Sequence, residues 1–179
     1  MSVENLSTTG LMFKAAAIAC VAASVGSAFA ATATANMTNT ATVSSSCTIS
    51  ATGFTTTYDS VVTNASSHQD ITGTLATTCT SGSSATITLG QGTNADTGSA
   101  DATPLRRLST GGGTPSYLSY SLYQNATRTT VWGNTLATGL ATTGTGAAVS
   151  STVYARITSG QATAKAGAYT DVVVATLTF

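Results

Sequence analysis

Glutamate occurs once in this chain, at Glu4, histidine once, at His68, and proline twice, at Pro104 and Pro115. Each shortage closes off a class of function. The remaining acids, Asp59, Asp70, Asp96, Asp101 and Asp171, are scattered, so neither a calcium loop nor a pair of catalytic carboxylates is expected. His68 lies in the polar stretch Ser66-Ser67-His68-Gln69-Asp70, and no G-x-S-x-G occurs. Serine-type catalysis needs a nucleophile, a base and an oxyanion hole brought together, so His68 reads as a loop residue and no catalysis is expected. Gly111-Gly112-Gly113 is followed by no Lys-Ser/Thr pair and is not a phosphate loop. Charged residues make up 7% of the chain with a net charge of zero, which leaves no basic footprint for nucleic acid. No cofactor and no metal are expected.

What the chain has instead is Thr, Ser, Ala and Gly. Hydrophobic residues still reach 42%, and disorder couples low hydrophobicity to high charge, so a folded chain with an uncharged surface is expected. Residues 1–30 read as a signal peptide. Lys14 precedes the apolar run Ala15–Val25, and Ala28-Phe29-Ala30 closes it as an A-x-A cleavage site. The run is shorter than the ~20 apolar residues that span a bilayer. Met12 makes an alternative start. Cys20 follows Ala17-Ile18-Ala19, a poor lipobox, so a lipid anchor is not expected. Cleavage after Ala30 leaves roughly 150 residues, enough for a single core. Two cysteines then remain, Cys47 and Cys79. An even count in an exported chain implies one disulfide.

No apolar 3.6-residue period persists after residue 30, whereas strand signals recur between turn residues. Strands are expected near 44–50, 70–79, 85–90, 117–123, 130–132 and 147–157. A long Gly/Thr/Asp-rich connection over 91–116 carries a short ordered piece at Leu105–Leu108. Tyr117, Tyr120, Tyr123 and Trp132 read as core and sheet residues, with an aromatic sugar-binding patch as the alternative. Tyr169–Phe179 (YTDVVVATLTF) is the strongest strand signal, with Val173, Ala175, Leu177 and Phe179 on one face. A strand this apolar should lie inside its sheet with a partner on each side. All-β with this spacing suggests a sandwich.

Residues 31–43 (ATATANMTNTATV) alternate. Ala33, Ala35, Met37, Ala41 and Val43 share one face with Asn39, and the other face is Thr apart from Asn36. This leader is either the first strand of its own sheet or a segment destined elsewhere.

Several pieces in order carry a resemblance. They are Ser46-Cys47-Thr48-Ile49, Gly53-Phe54 with Tyr58-Asp59, Thr78-Cys79, Gly90 with Arg107-Leu108, Tyr117–Tyr123, Val131-Trp132-Gly133-Asn134, and Gly167–Asp171 leading into the terminal run. Together they resemble the spore coat protein U (SCPU) domain family, which includes subunits of archaic chaperone–usher pili, and especially the main shaft subunit of Csu-type pili. The resemblance implies an incomplete immunoglobulin-like sandwich, residues 44–179, completed by a donor strand from a neighbouring subunit. It implies a groove beside the terminal strand, lined by Val173, Ala175, Leu177 and Phe179. A periplasmic chaperone fills that groove first. At an outer-membrane usher the leader of the next copy, through Ala33, Ala35, Met37, Ala41 and Val43, replaces it. The terminal carboxylate of Phe179 meets a basic chaperone residue in this reading, or Phe179 is a plain core aromatic. The implied partners are copies of the chain, the chaperone, the usher, and minor and tip pilins. The implied place is the cell surface, reached through the periplasm, and the implied role is structural, supporting adhesion and biofilm formation. The alternative is a free-standing secreted β-sandwich binding module of lectin type, with the leader as its own first strand.

Overall fold

A computed structural model describes residues 29–179; the expected signal peptide lies outside them but for Phe29 and Ala30. Residues up to Thr40 and residues 41–179 are separate units. Between residues 29 and 40 no strand or helix forms, and every residue is exposed.

The second unit is all-β. Its strands are β1 (Cys47–Thr52), β2 (Gln69–Cys79), β3 (Ser84–Leu89), β4 (Arg106–Ser109), β5 (Tyr117–Tyr123), β6 (Leu140–Thr143), β7 (Ala148–Ile157) and β8 (Ala175–Thr178). They form a five-stranded sheet in the order β1-β2-β7-β5-β4 and a three-stranded sheet in the order β6-β3-β8. Every pairing is antiparallel. The longest ladder joins β2 to β7, from Gln69↔Ile157 to Thr78↔Ala148.

Alternation decides which faces meet. On β5, Leu118, Tyr120 and Leu122 are buried, and Tyr117, Ser119 and Ser121 lie outside. On β7, Val153, Ala155 and Ile157 point inward. From the other sheet Ile87 and Leu89 meet them, and Trp132 closes one end with its Nε1–H donating to the Ile87 carbonyl at 2.8 Å. Burying side chains of this size stabilises by about 1.5–3 kcal/mol each. Tyr120 and Trp132 thus belong to the core, while Tyr117 lies outside beneath the Arg107 guanidinium, 4.0 Å from the ring centroid. The chain crosses between sheets at the 80–83 turn, where Gly82 takes φ +81. Gly144 packs against this turn so closely that a Cβ there would collide with the Thr80 carbonyl.

The expected strands appear with three differences. Residues 130–132 make only a single bridge, Tyr123↔Val131, because Arg128, at φ 56, turns the chain just before them. β6, in the Gly/Thr-rich stretch after Trp132, gives no alternating signal and was not expected. The terminal run is regular strand only over β8, and β8 has one partner, β3, rather than two. It is an edge strand among the described residues, so apolar content marked depth without marking a second neighbour.

Candidate strand-accepting cleft

The core is open on one side. A cleft of about 1110 Å³ lies within the second unit, above the ~300–1,000 Å³ of small-ligand pockets. Its floor is core: Leu75, Leu89, Leu118, Tyr120, Leu122 and Ile157. One wall is the end of β1 and the segment that follows it, the other the segment leading into β8.

Each wall is extended and short of partners. Residues 53–59 belong to no ladder, yet Phe54, Thr56 and Tyr58 are half-buried while Gly53, Thr55 and Thr57 are exposed. This is a strand's alternation without a strand's neighbour. Phe54 meets Tyr120 edge-on at 5.7 Å, and the Tyr58 hydroxyl donates to the Thr158 carbonyl at 2.7 Å. On the opposite wall the Val172 and Val174 carbonyls accept from the Thr93 and Gly90 amides. Val173 between them has no backbone partner among the described residues, and its side chain turns into the cleft.

A carboxylate fixes this second wall. Asp171 accepts from the Thr93 amide and hydroxyl at 2.9 Å each, and from the Asn94 amide and side chain at 3.2 Å. Its other oxygen accepts from the Tyr120 hydroxyl at 2.7 Å. Burial, then the bond to Asp171 and its charge, push the Tyr120 phenol far above its ordinary value, so it remains a neutral donor. Beside it, Arg106 lies buried across the β4–β5 ladder. Its Nε donates to the Gly90 carbonyl, and its Nη2 to those of Leu89 and Trp132, at 2.7 to 2.9 Å. Burial lowers Arg106 to about 10, which leaves it charged at neutral pH.

Of the four groove residues named from the sequence, Val173 and Ala175 line the cleft. Leu177 packs half-buried on the core, and Phe179 lies outside, exposed, in a shallow depression with Leu136 and Ala141. Ala33, Ala35, Met37 and Ala41 are exposed and form no strand, as is Val43. Cys47 and Cys79 are bonded and face each other in register between β1 and β2. His68 accepts the Ser159 amide on Nδ1 at 2.9 Å. No cluster of potential metal ligands occurs among the described residues. Sequence reading missed the first wall: Phe54 and Tyr58 stood in a matched motif, and their alternation with Thr56 was the signal of a wall.

A family model described as the Spore Coat Protein U domain matches residues 31–176. "Protein U" of Myxococcus xanthus is 46% identical over 157 residues, 84% of this chain and 87% of that protein. Among solved structures, a chain of the CsuC-CsuE chaperone–tip adhesion subunit pre-assembly complex, from the archaic chaperone-usher Csu pili of Acinetobacter baumannii, shares the fold. The TM-score is 0.55 at 17% identity, over 77% of this chain and 40% of that one.

Proposed function

The chain belongs to the Spore Coat Protein U domain family, and on that premise we propose that it is a structural subunit of a surface pilus, built by the chaperone–usher route through exchange of an N-terminal strand. The observation that carries this reading is the apolar cleft between two extended walls that are only partly paired. A strand entering there gains main-chain hydrogen bonds at the walls and sets alternate side chains on the floor.

The leader of another copy has the right pattern. Residues 31–43 hold no Gly or Pro and carry Ala33, Ala35, Met37, Ala41 and Val43 on one face. Met37 and Val43 are exposed to 81% and 82%. Such a side chain contributes on the order of 1.5–3 kcal/mol once buried. Val173 and Ala175 receive it, with Leu177 supporting the wall from the core. Head-to-tail insertion does not close on itself, so it builds a filament. A periplasmic chaperone covers the cleft before the usher passes it to the next copy, and minor and tip pilins complete the fibre. Residues 1–30 direct export to the periplasm on the way to the surface, where the fibre supports adhesion and biofilm formation.

A free-standing binding module, lectin-like or otherwise, needs a closed sandwich, and the open cleft favours the fibre over it. The test is the size distribution of the exported chain on unheated detergent gels. A ladder of multimers is expected, collapsing to monomer when residues 31–43 are deleted. A full-length chain that runs only as monomer in the absence of any chaperone contradicts the proposal.

A further inference from the structure

We propose that the Cys47–Cys79 disulfide is a tension clamp, placed where a pull on the leader enters the folded body. The inference rests on the strand-exchange reading: in a fibre joined by leaders, tension crosses each copy between its own residues 31–43 and the cleft that holds its neighbour's leader. Only Ser44, Ser45 and Ser46 lie between that leader and Cys47, the first residue of β1.

What would resist the pull without the bond is weak. Ser44–Ser46 are held by exposed hydrogen bonds: the Ser46 amide to the Thr80 hydroxyl at 3.1 Å, the Thr80 amide to the Ser46 carbonyl at 2.9 Å, and the Thr80 hydroxyl to the Ser44 carbonyl at 3.4 Å. β1 itself is an edge strand with one partner among the described residues. Of its side chains only Ile49 packs on the apolar core. A strand peeled from one end gives up its ladder bonds one at a time rather than together. The disulfide sits at the pair that would open first, Cys47↔Cys79.

The bond hands the load to a better-anchored element. β2 is paired on both edges. Its ladder with β7 runs from Gln69 to Thr78, and Leu75, Thr77 and Cys79 are buried. Force entering at Cys47 thus bypasses β1 and the loop after it, reaching an interior strand of the larger sheet through one covalent step. A bond that served only to stabilise the fold has no need to sit at this end of the β1–β2 pair; a clamp works only here.

The test is single-fibre pulling on assembled full-length chains in three states: native, reduced with dithiothreitol after assembly, and assembled from a variant with the crosslink moved. The variant carries Cys47→Ser and Cys79→Ser together with Thr52→Cys and Thr74→Cys, which joins the same two strands at their other end, where Thr52 and Thr74 are in register. Reduction after assembly removes the bond without asking the chain to fold anew. Native fibres are expected to rupture in a single high-force step per subunit. Reduced fibres should lose that step and show an early low-force extension as β1 peels. The moved crosslink should show the same early extension, cut short at residue 52. Equal first-rupture forces in all three states overturn the clamp and leave strand exchange standing. Failure of full-length copies to link at all overturns both.

Discussion

Arg106 is charged and 1% exposed, and it holds the end of β3 by the carbonyls of Leu89, Gly90 and Trp132. Hydrogen bonds to a charged donor are worth about 1.5–3 kcal/mol each, so Arg106→Met is expected to lower unfolding free energy by at least about 3 kcal/mol in denaturant titrations. Lysine should not rescue it, because one ammonium cannot reproduce the planar fork. The exposed acids act differently. Three backbone amides, of Val62, Val61 and Thr63, hold Asp59 below its ordinary 3.8. The Arg156 hydrogen bond lowers Asp70 against the opposing effect of burial, and Asn134 and Gln91 lower Asp101. A depressed carboxyl stabilises the fold above its unfolded value and loses that contribution as pH falls through the lower folded value. From these acids stability should be flat from about pH 5 to neutrality and fall as the pH drops below 3.8. Asp70→Asn should flatten part of that fall in denaturation midpoints measured from pH 6 to pH 2. None of these residue roles was legible in the sequence. Arg106 reads there as one of two adjacent arginines in a short ordered piece, and only the fold sets it facing inward opposite Tyr120 on β5.

At the scale of elements the sequence was more legible, for a physical reason. Alternation is local, so β2, β5 and β7 stand almost where their period-2 patterns place them. Pairing is not local. The run 169–179 has the composition of a central strand yet forms an edge among the described residues. The segment 53–59 alternates as a strand and forms no ladder. Both departures fall at the walls of the cleft, as expected of elements made to receive something. The placements of Val173 and Phe179 separate two expectations made from one face of the same run. Val173→Asp puts a charge against the apolar floor and should abolish uptake of a peptide of residues 31–43. Phe179→Ala should leave uptake unchanged. Fluorescence anisotropy of the labelled peptide against the chaperone-released chain reads both, and loss of uptake in the Phe179 variant alone would place the groove elsewhere.

For the molecule as a whole, one disulfide and one incomplete core set the balance. Cys47 and Cys79 are 32 residues apart, and closing such a loop stabilises by roughly 3–4 kcal/mol in the chain-entropy model. The open cleft works the other way, because Phe54, Tyr58 and Val173 on its walls stay only half-buried. A sandwich with exposed strand edges is prone to aggregate. The signal-peptide pattern pointed to export and the resemblance to the Spore Coat Protein U domain family implied strand exchange, whereas the alternation of residues 31–43 by itself fitted a strand of its own sheet equally well. The most direct test compares the body, residues 44–179, with the same body carrying Ala31–Val43 appended after Phe179 through a flexible linker. The bare body is expected to be unstable and to aggregate, and the appended strand to turn it into a stable monomer with a large rise in unfolding midpoint. A bare body that is already a stable monomer, unaffected by the added strand, contradicts strand exchange and leaves a complete sandwich in its place.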